Sequence, residues 1–314
     1  MRHARADKSD RMSVHRKQRR RIQLGLAVIG VTIVVGSATS IRLVSTELQQ
    51  QAERTLSSQT GAILEIFDTN HRLYLNQTTS ALRVLIDATS RIGAPVWYPP
   101  VRRGEAPELR FGGKTINGDV AVVDKIKELT GATATFFVRD RDRFIRVSTG
   151  ALKPDGKRAI GTELDPKSKA VAAILIGRSH YGIVDVLGSP HMAGFEPLRG
   201  PAGSIIGIAY AGYPIVGVKT AGQVIESSRV LDRGFTALYG GHDRLLNKST
   251  HAHATEIQKL LPPQGRPATW KITEATLSAW DLRLLAGYSW LDVWASVSVL
   301  SLALNAFVFL LALA

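Results

Sequence analysis

The stretch Gly131–Thr149, GATATFFVRDRDRFIRVST, carries the clearest fold signal in the sequence. Ala132–Val138 and Phe144–Ser148 are rich in β-branched and aromatic residues, and Arg139–Asp142 between them is polar. Two such runs joined by a short polar turn predict a β-hairpin. An antiparallel sheet is therefore the expected centre of the fold.

Two helices and three more strands surround this hairpin in the sequence. Asp119–Leu129 is an amphipathic segment that ends before Gly131, and Lys167–Ile176 is also helical in pattern. Strand-like runs follow at Tyr181–Leu187, Pro190–Leu198 and Ser204–Tyr213. The order helix, two strands, helix, three strands predicts a five-stranded antiparallel sheet with helices on one side.

A second, smaller set of strands and helices follows in the same order. Val216–Arg233 is predicted to be a connecting helix. Its strands, helix and closing strand pair are predicted at Phe235–Tyr239, Leu245–Asn247, Ala252–Leu261, Thr269–Thr276 and Asp281–Gly287. The sequence thus predicts an α+β protein with two sheet modules.

A long helix is predicted ahead of these modules. Gly and Pro are nearly absent from Val44 to Ala88, and apolar residues recur at helical spacing. About 45 residues at this rise would span roughly 65–70 Å. Two ordinary core helices, separated at Gly61 or at Asp68–His71, are the alternative. Gly93–Gly113 is rich in Pro and Gly and is predicted to be a loop.

Composition excludes several classes of protein. The 314 residues carry a net charge of +14, are 45% hydrophobic and contain no cysteine. Disulfide scaffolds, thiol nucleophiles and cysteine-bound metals are therefore excluded. The charge is concentrated in residues 1–21, which hold nine Lys or Arg against Asp7 and Asp10. A nucleic-acid partner is one explanation of such a tail, but the segment that follows favours a membrane.

Two apolar segments frame the chain. Ile22–Ile41 has no charge over 20 residues, and the basic run before it places residues 1–21 in the cytoplasm. A cleaved signal peptide is the alternative. Val293–Ala314 is the second segment; Tyr288, Trp290 and Trp294 mark its start, and a buried core helix is the alternative.

The predicted layout follows from these segments. It comprises a cytoplasmic tail (1–21), a first transmembrane helix (22–41), the long helix with a membrane-distal module (42–215), a smaller membrane-proximal module (216–290) and a second transmembrane helix (291–314). Residues 42–292 are then extracytoplasmic, in an inner-membrane protein. Because no cytoplasmic residues follow the second segment, we expect an output domain to be missing from this sequence.

Several short runs resemble the extracytoplasmic Cache sensor domains, of the Cache 3–Cache 2 fusion type. The resemblance covers about residues 130–215 by motif and 42–290 by architecture. It rests on Gly131–Val138, Phe144–Thr149, Gly156–Gly161, Tyr181-Gly182, Phe195–Arg199 and Ile205–Pro214. It implies PAS-like modules that sense small molecules for chemoreceptors, sensor kinases and cyclic-nucleotide enzymes. It also implies small carboxylates as a common ligand class, and a homodimer packed through the long helix.

By position, the resemblance assigns ligand contacts to Arg146, Tyr181 and His191. Arg146 alternates onto the same strand face as Phe144 and Ser148. Where His191 stands, the family more often has an aromatic residue. Each of the three has an ordinary alternative: a solvated strand face for Arg146, core packing for Tyr181, and a surface or core histidine for His191. Phe195 and Tyr210 are expected to form pocket wall or core.

No known catalytic motif is present in the sequence. It lacks H-E-x-x-H, G-x-S-x-G and a P-loop, so we predict no enzyme activity and no cofactor. The Arg139–Arg143 charge run is expected to be a solvated turn. His251 and His253, with His242 nearby, lack a carboxylate partner, and no metal site is predicted.

The sequence therefore predicts the periplasmic sensor region of a transmembrane signalling receptor. Its ligand is expected to be a small solute, best a small carboxylate, with the membrane and a second copy as further partners. The alternative is a membrane-anchored periplasmic module that binds another protein and has no small ligand.

Overall fold

The computed structural model describes residues 2–102, 104–215, 218–261 and 267–298. Its first element is helix α1 (Arg2–Ser90), which continues through Gly61 and the polar stretch Asp68–His71. Asp68 and Arg72 pair one turn apart at 3.0 Å, which stabilises the helix where its sequence is most polar. The prediction of one long helix is confirmed, and the alternative of two helices is wrong.

Short helices and three sheets follow α1. The strands are β1 (Pro95–Tyr98), β2 (Glu108–Phe111), β3 (Lys114–Thr115), β4 (Thr133–Asp140), β5 (Arg143–Thr149), β6 (His180–Val186), β7 (Ser189–Arg199), β8 (Ile205–Pro214), β9 (Phe235–Gly240), β10 (Arg244–Lys248), β11 (Trp270–Leu277) and β12 (Leu282–Ser289). The helices are α2 (Ala121–Thr130), α3 (Lys169–Leu175), α4 (Val218–Ser227) and α5 (Ala254–Gln258). Residues 290–298 are helical.

Residue contacts divide the chain into two compact units. One contains Met1–Gly61, Ile225–Ala275 and Arg283–Ala314. The other contains Ala62–Val224 and Thr276–Leu282.

A five-stranded antiparallel sheet forms the centre of the second unit. Its strand order is β5-β4-β8-β7-β6, so the predicted sheet is confirmed. One face packs against α1 and α2, where Leu82 and Ile126 share a core with Phe136. The other packs against α3, where Ile174 shares a core with Phe137. The prediction of helices on one side is therefore wrong, as the continuous apolar runs of β4 and β8 require cover on both faces.

A small sheet replaces the predicted loop at Gly93–Gly113. Strands β1, β2 and β3 pair in that order, with Trp97 opposite Leu109. The Leu109 N–H donates to Asn117 Oδ1 at 2.9 Å, which ties the middle strand to the following turn. Pro95 occupies an edge strand, where a missing N–H is tolerated. Because Pro and Gly are frequent in this segment, the sequence predicted a loop instead of these short strands.

The first unit contains a four-stranded antiparallel sheet in the order β10-β9-β12-β11. Phe235 and Leu285 form its core with Ile257 of α5. Asp292, which is buried, accepts hydrogen bonds from Arg233 N at 2.8 Å and from Arg233 Nε at 2.6 Å. The helix predicted over Val216–Arg233 is shorter, since α4 ends at Ser227.

The predicted membrane segments lie partly outside the described residues. Residues 299–314 are not described, and between 1 and 34 side chains are described only for Leu24, Gly30 and Val31. Within the part of the chain that the structure does describe, no helix combines the length and apolar character needed to cross a membrane.

Candidate ligand-binding site

A cavity of about 600 Å³ lies between the five-stranded sheet and the segment that leads into α3. Its floor is one sheet face, to which Phe137, Arg146, Phe195 and Tyr210 contribute from four strands. Ser168 is the N-cap of α3, and its hydroxyl accepts a hydrogen bond from Val171 N at 3.2 Å. This N-cap fixes the cover of the cavity at the point where α3 starts.

Arg146 is the buried cation of the cavity. Its side chain donates from Nη1 to Thr162 Oγ1 at 2.6 Å, and its guanidinium lies 5.0 Å from the centre of the Phe137 ring. Only 7% of Arg146 is exposed, and it forms no ion pair with any residue that the structure describes. Burial lowers the pKa of Arg146, an effect partly opposed by Tyr210. An anion in the cavity would compensate this charge.

Tyr210 supplies a buried hydroxyl beside this cation. Burial raises the pKa of Tyr210, and the nearby Arg146 charge opposes that shift. Its hydroxyl has no hydrogen-bond partner among the described residues, although only 3% of the residue is exposed. The ring packs 5.0 Å from that of Phe195. Because unmade buried hydrogen bonds are costly, a bound molecule that reached this hydroxyl would gain a hydrogen bond from it.

His180 lines the same cavity, whereas its neighbour Tyr181, the residue predicted from the sequence, does not. Burial, followed by the Lys169 charge, lowers the pKa of His180. Its ring centre lies 6.2 Å from that of Phe195, directly across the β6–β7 pair. A neutral imidazole here offers a donor and an acceptor to a ligand.

Four carboxylates and one lysine line the more exposed part of the cavity. They are Glu163, Asp165, Asp185, Asp281 and Lys169, and all five residues are exposed. We call these five residues the rim. The cavity is therefore cationic at its buried end and mainly acidic at its rim.

Tyr181 lies on the opposite face of the sheet and is absent from the cavity lining. Its hydroxyl donates to Glu196 Oε1 at 2.8 Å. Burial and this hydrogen bond raise the pKa of Tyr181 to about 12. The ring covers Gly194 of β7, where an added Cβ would come within 2.7 Å of Tyr181 Cε1.

His191 also does not line the cavity. It shares a face of β7 with Phe195 but lies four residues nearer the start of the strand. It is buried, and its Nδ1 lies 2.9 Å from the Ser189 carbonyl oxygen. The structure thus brings Arg146, Phe195 and Tyr210 to one cavity, and places Tyr181 and His191 elsewhere.

A further candidate from the sequence, the charge run Arg139–Arg143, lies outside this cavity. Arg139, Arg141 and Asp142 line a separate open hollow of about 390 Å³ beside Trp97. Asp142 is 93% exposed, consistent with a solvated turn. Among the described residues, no group of three or more His, Asp or Glu is placed to hold a metal ion.

Comparison with protein families identifies one domain over most of the chain. The profile of the Cache 3/Cache 2 fusion domain matches residues 42–274. No curated protein matches the sequence.

Several solved sensor domains resemble the fold at low sequence identity. The ligand-binding domain of the Campylobacter jejuni chemoreceptor Tlp3, solved with L-valine, is 10% identical, with a TM-score of 0.43 over 80% of this chain and 98% of its own. The sensor domain of the V. cholerae histidine kinase DctB is 11% identical, with a TM-score of 0.36 over 79% and 98%. The periplasmic domain of RsbU from Chlamydia trachomatis is 13% identical, with a TM-score of 0.37 over 79% and 98%.

Proposed function

The chain belongs to the Cache 3/Cache 2 fusion domain family, and from this premise we propose that it is the ligand-binding sensor region of a membrane receptor. The ligand is a small carboxylate held in the cavity between the five-stranded sheet and α3. The protein acts as a binding module, and its output is a conformational change rather than a reaction.

One observation carries this proposal: the fold buries the Arg146 guanidinium without an anionic partner among the described residues. Removing a cation from water is costly unless an opposite charge compensates it. A ligand carboxylate would accept hydrogen bonds from Arg146 and from the Tyr210 hydroxyl, while the Phe137 and Phe195 rings cover its carbon chain. A cavity of about 600 Å³ is within the usual range for a small-molecule site.

The membrane placement is supported by the sequence. Segments 22–41 and 291–314 cross the inner membrane, residues 1–21 lie in the cytoplasm, and residues 42–292 lie outside it. The receptor is a homodimer that associates through α1, on whose surface Leu43 and Leu73 are exposed.

Signal transmission begins with the cover of the cavity. A ligand that binds one closure of the cavity more tightly increases the population of that closure. Strands β6 and β7 carry His180 and Phe195 on the cavity face and Tyr181 and Gly194 on the opposite face. Leu82 of α1 shares a core with Tyr181, so a shift of these strands by about 1–2 Å would also displace the helix.

A thermal-shift screen of the full chain, in a mild detergent, tests the proposal. The panel contains small carboxylates, amino acids and purines. We expect a saturable stabilisation that rises as RT ln(1 + [L]/Kd) for carboxylates. A flat response from a cooperatively unfolding sample would favour the alternative, a membrane-anchored module that binds another protein.

Two variants test whether the stabilisation by carboxylates arises from binding in this cavity. Arg146→Met keeps the apolar bulk of the side chain but removes its charge, and it should abolish the carboxylate shift. Arg91→Met removes an exposed arginine that lies outside the cavity and should leave the shift unchanged. Equal shifts in wild type and Arg146→Met would contradict this site.

A further inference from the structure

Thr162 lies beside Arg146, on the segment that pairs with β5. Building on the proposed carboxylate site, we propose that Thr162 is the positioning residue of that site. Its hydroxyl fixes the orientation of the Arg146 guanidinium, so that Nε and Nη2 bind the two oxygens of one carboxylate. Thr162 acts through Arg146, since it is not among the described residues that line the cavity.

Backbone hydrogen bonds set the position of Thr162 relative to Arg146. The Arg146 N–H donates to the Thr162 carbonyl oxygen, and the Gly161 N–H donates to the Arg146 carbonyl oxygen, both at 2.8 Å. The Leu164 N–H continues this pairing by donating to the Phe144 carbonyl oxygen at 2.9 Å. Residues 161–164 therefore follow β5, and Thr162 is held to the strand that carries Arg146.

A tight turn directs the Thr162 hydroxyl oxygen toward the guanidinium. The Thr162 N–H donates to the Ala159 carbonyl oxygen at 3.2 Å, and Gly161 has the positive φ of 81° that favours glycine at this point of a turn. The Thr162 hydroxyl donates to the same carbonyl oxygen at 2.7 Å. Because its one hydrogen is used there, the hydroxyl oxygen meets Arg146 as an acceptor.

The guanidinium retains two nitrogens for a ligand. Nη1 of Arg146 donates to Thr162 Oγ1 at 2.6 Å, whereas Nε and Nη2 have no hydrogen-bond partner among the described residues. Neither nitrogen is one of the polar atoms that the fold seals from solvent without a partner. Nε and Nη2 form one edge of the planar group, and such an edge matches the two oxygens of a carboxylate.

This hydrogen bond matters most for an anion with two oxygens. A guanidinium that lacked it would still attract anions by its charge, but its side chain would have to be ordered when a carboxylate bound. A spherical anion needs no particular plane, because any N–H of the group can contact it. Positioning by Thr162 should therefore favour carboxylates over a halide of the same charge.

Titration calorimetry of the full chain in mild detergent, at constant ionic strength, tests this role. The probes are acetate, butanoate and succinate, with bromide as the spherical anion. Thr162→Val retains the shape of the side chain but removes the acceptor oxygen. We expect this variant to bind the carboxylates about tenfold more weakly than wild type, and bromide within about twofold of wild type.

Two further variants separate positioning from a general effect on the fold. Thr162→Ser retains the hydroxyl and should bind the carboxylates within about twofold of wild type. Thr79→Val removes a hydroxyl that donates to the Leu75 carbonyl oxygen at 2.8 Å outside the cavity, and it should leave all affinities unchanged. If Thr162→Val does not unfold cooperatively, Thr162→Ala, which leaves more room, takes its place.

The failures of the two proposals are distinguishable. The positioning role is overturned, and the carboxylate site stands, if Arg146→Met abolishes carboxylate binding but Thr162→Val does not weaken it. The same holds if Thr162→Val weakens bromide equally, or if Thr162→Ser binds the carboxylates as weakly as Thr162→Val does. If no carboxylate binds a folded wild-type protein, or if Arg146→Met binds them as tightly as wild type, both proposals fail.

Discussion

Arg146 and Tyr210 are buried polar residues that the fold keeps at a cost in stability. The guanidinium keeps a hydrogen bond to Thr162 and a ring contact to Phe137, which offset only part of its lost hydration. The Tyr210 hydroxyl has no partner among the described residues. Both groups are expected to gain more from a ligand than from the empty protein.

Replacing Tyr210 with phenylalanine should therefore change stability and affinity in opposite directions. Tyr210→Phe removes an unpaired buried hydroxyl, so the free energy of unfolding should stay the same or rise by about 1 kcal/mol. Affinity for a carboxylate should fall about tenfold with the loss of one hydrogen bond to a charged group. Chemical denaturation and calorimetry on the same sample measure the two. A lower stability with unchanged affinity would contradict the role given to this hydroxyl.

His180 should make stability depend on pH. Burial and the Lys169 charge lower its pKa below the ordinary value of 6.5, so the unfolded chain binds this proton more readily. The stability that neutral His180 contributes is present above about pH 6.5 and is lost as the pH falls through the folded pKa. The Tm of wild type should therefore fall more steeply between about pH 6.5 and 5 than that of His180→Gln. Parallel Tm curves would contradict this environment.

Three of the five ligand-binding residues predicted from the sequence line the cavity, whereas Tyr181 and His191 do not. In β6 it is His180, the neighbour of Tyr181, that lines the cavity. Because side chains alternate along a strand, adjacent residues point to opposite faces of the sheet, but this alternation does not show which face lines the cavity. In β6 the first five residues are all half-buried, so no burial contrast fixes the phase. The pairing of β6 with β7 fixes the phase, because it places His180 opposite Phe195.

Strands β6 to β8 depend on glycine where side chains of one face crowd the backbone. At Gly212 of β8, an added Cβ would overlap the Tyr210 hydroxyl and lie 3.1 Å from the Met192 carbonyl oxygen. At Gly182 of β6, the nearest atom to an added Cβ is His180 Nε2 at 3.5 Å, an ordinary contact. These two glycines lie on the cavity face of the same sheet and differ in available space.

Alanine at these two positions forms a matched pair. Gly212→Ala should displace the Tyr210 ring from its packing on Phe195, lowering the free energy of unfolding by about 1–3 kcal/mol and weakening carboxylate binding. Gly182→Ala should stay within about 0.5 kcal/mol of wild type. Denaturant unfolding measures both variants. Equal effects of the two substitutions would contradict the packing described for Tyr210.

Elements with a strong apolar periodicity in their own sequence were predicted correctly, whereas elements with a weak pattern were not. The β4–β5 hairpin, the long helix and the five-stranded sheet follow from apolar patterns in their own sequences. The strands β1 and β2 were missed because Pro95 and the glycines around them indicate a loop, whereas pairing along the chain makes them a sheet. Helices on both faces follow only from how the continuous apolar strands are covered.

For the molecule as a whole, the membrane topology remains a prediction, and the sequence makes it simple to test. The chain contains no cysteine, so each introduced thiol reports on one position. Lys127→Cys places a thiol at an exposed position of α2, and Ser9→Cys places one in the basic tail. In intact cells, a membrane-impermeant maleimide should label the first and spare the second. Labelling of both or of neither, with lysed cells as the control, would contradict the proposed orientation.

The most direct test of the central claim is calorimetric titration of the full chain with a small carboxylate, comparing wild type, Arg146→Met and Arg91→Met. The account predicts saturable binding by wild type and Arg91→Met, and at least about a hundredfold weaker binding by Arg146→Met, since a desolvated charge pair is lost. If Arg146→Met binds as tightly as wild type, the cavity around Arg146 is not where this sensor recognises a carboxylate.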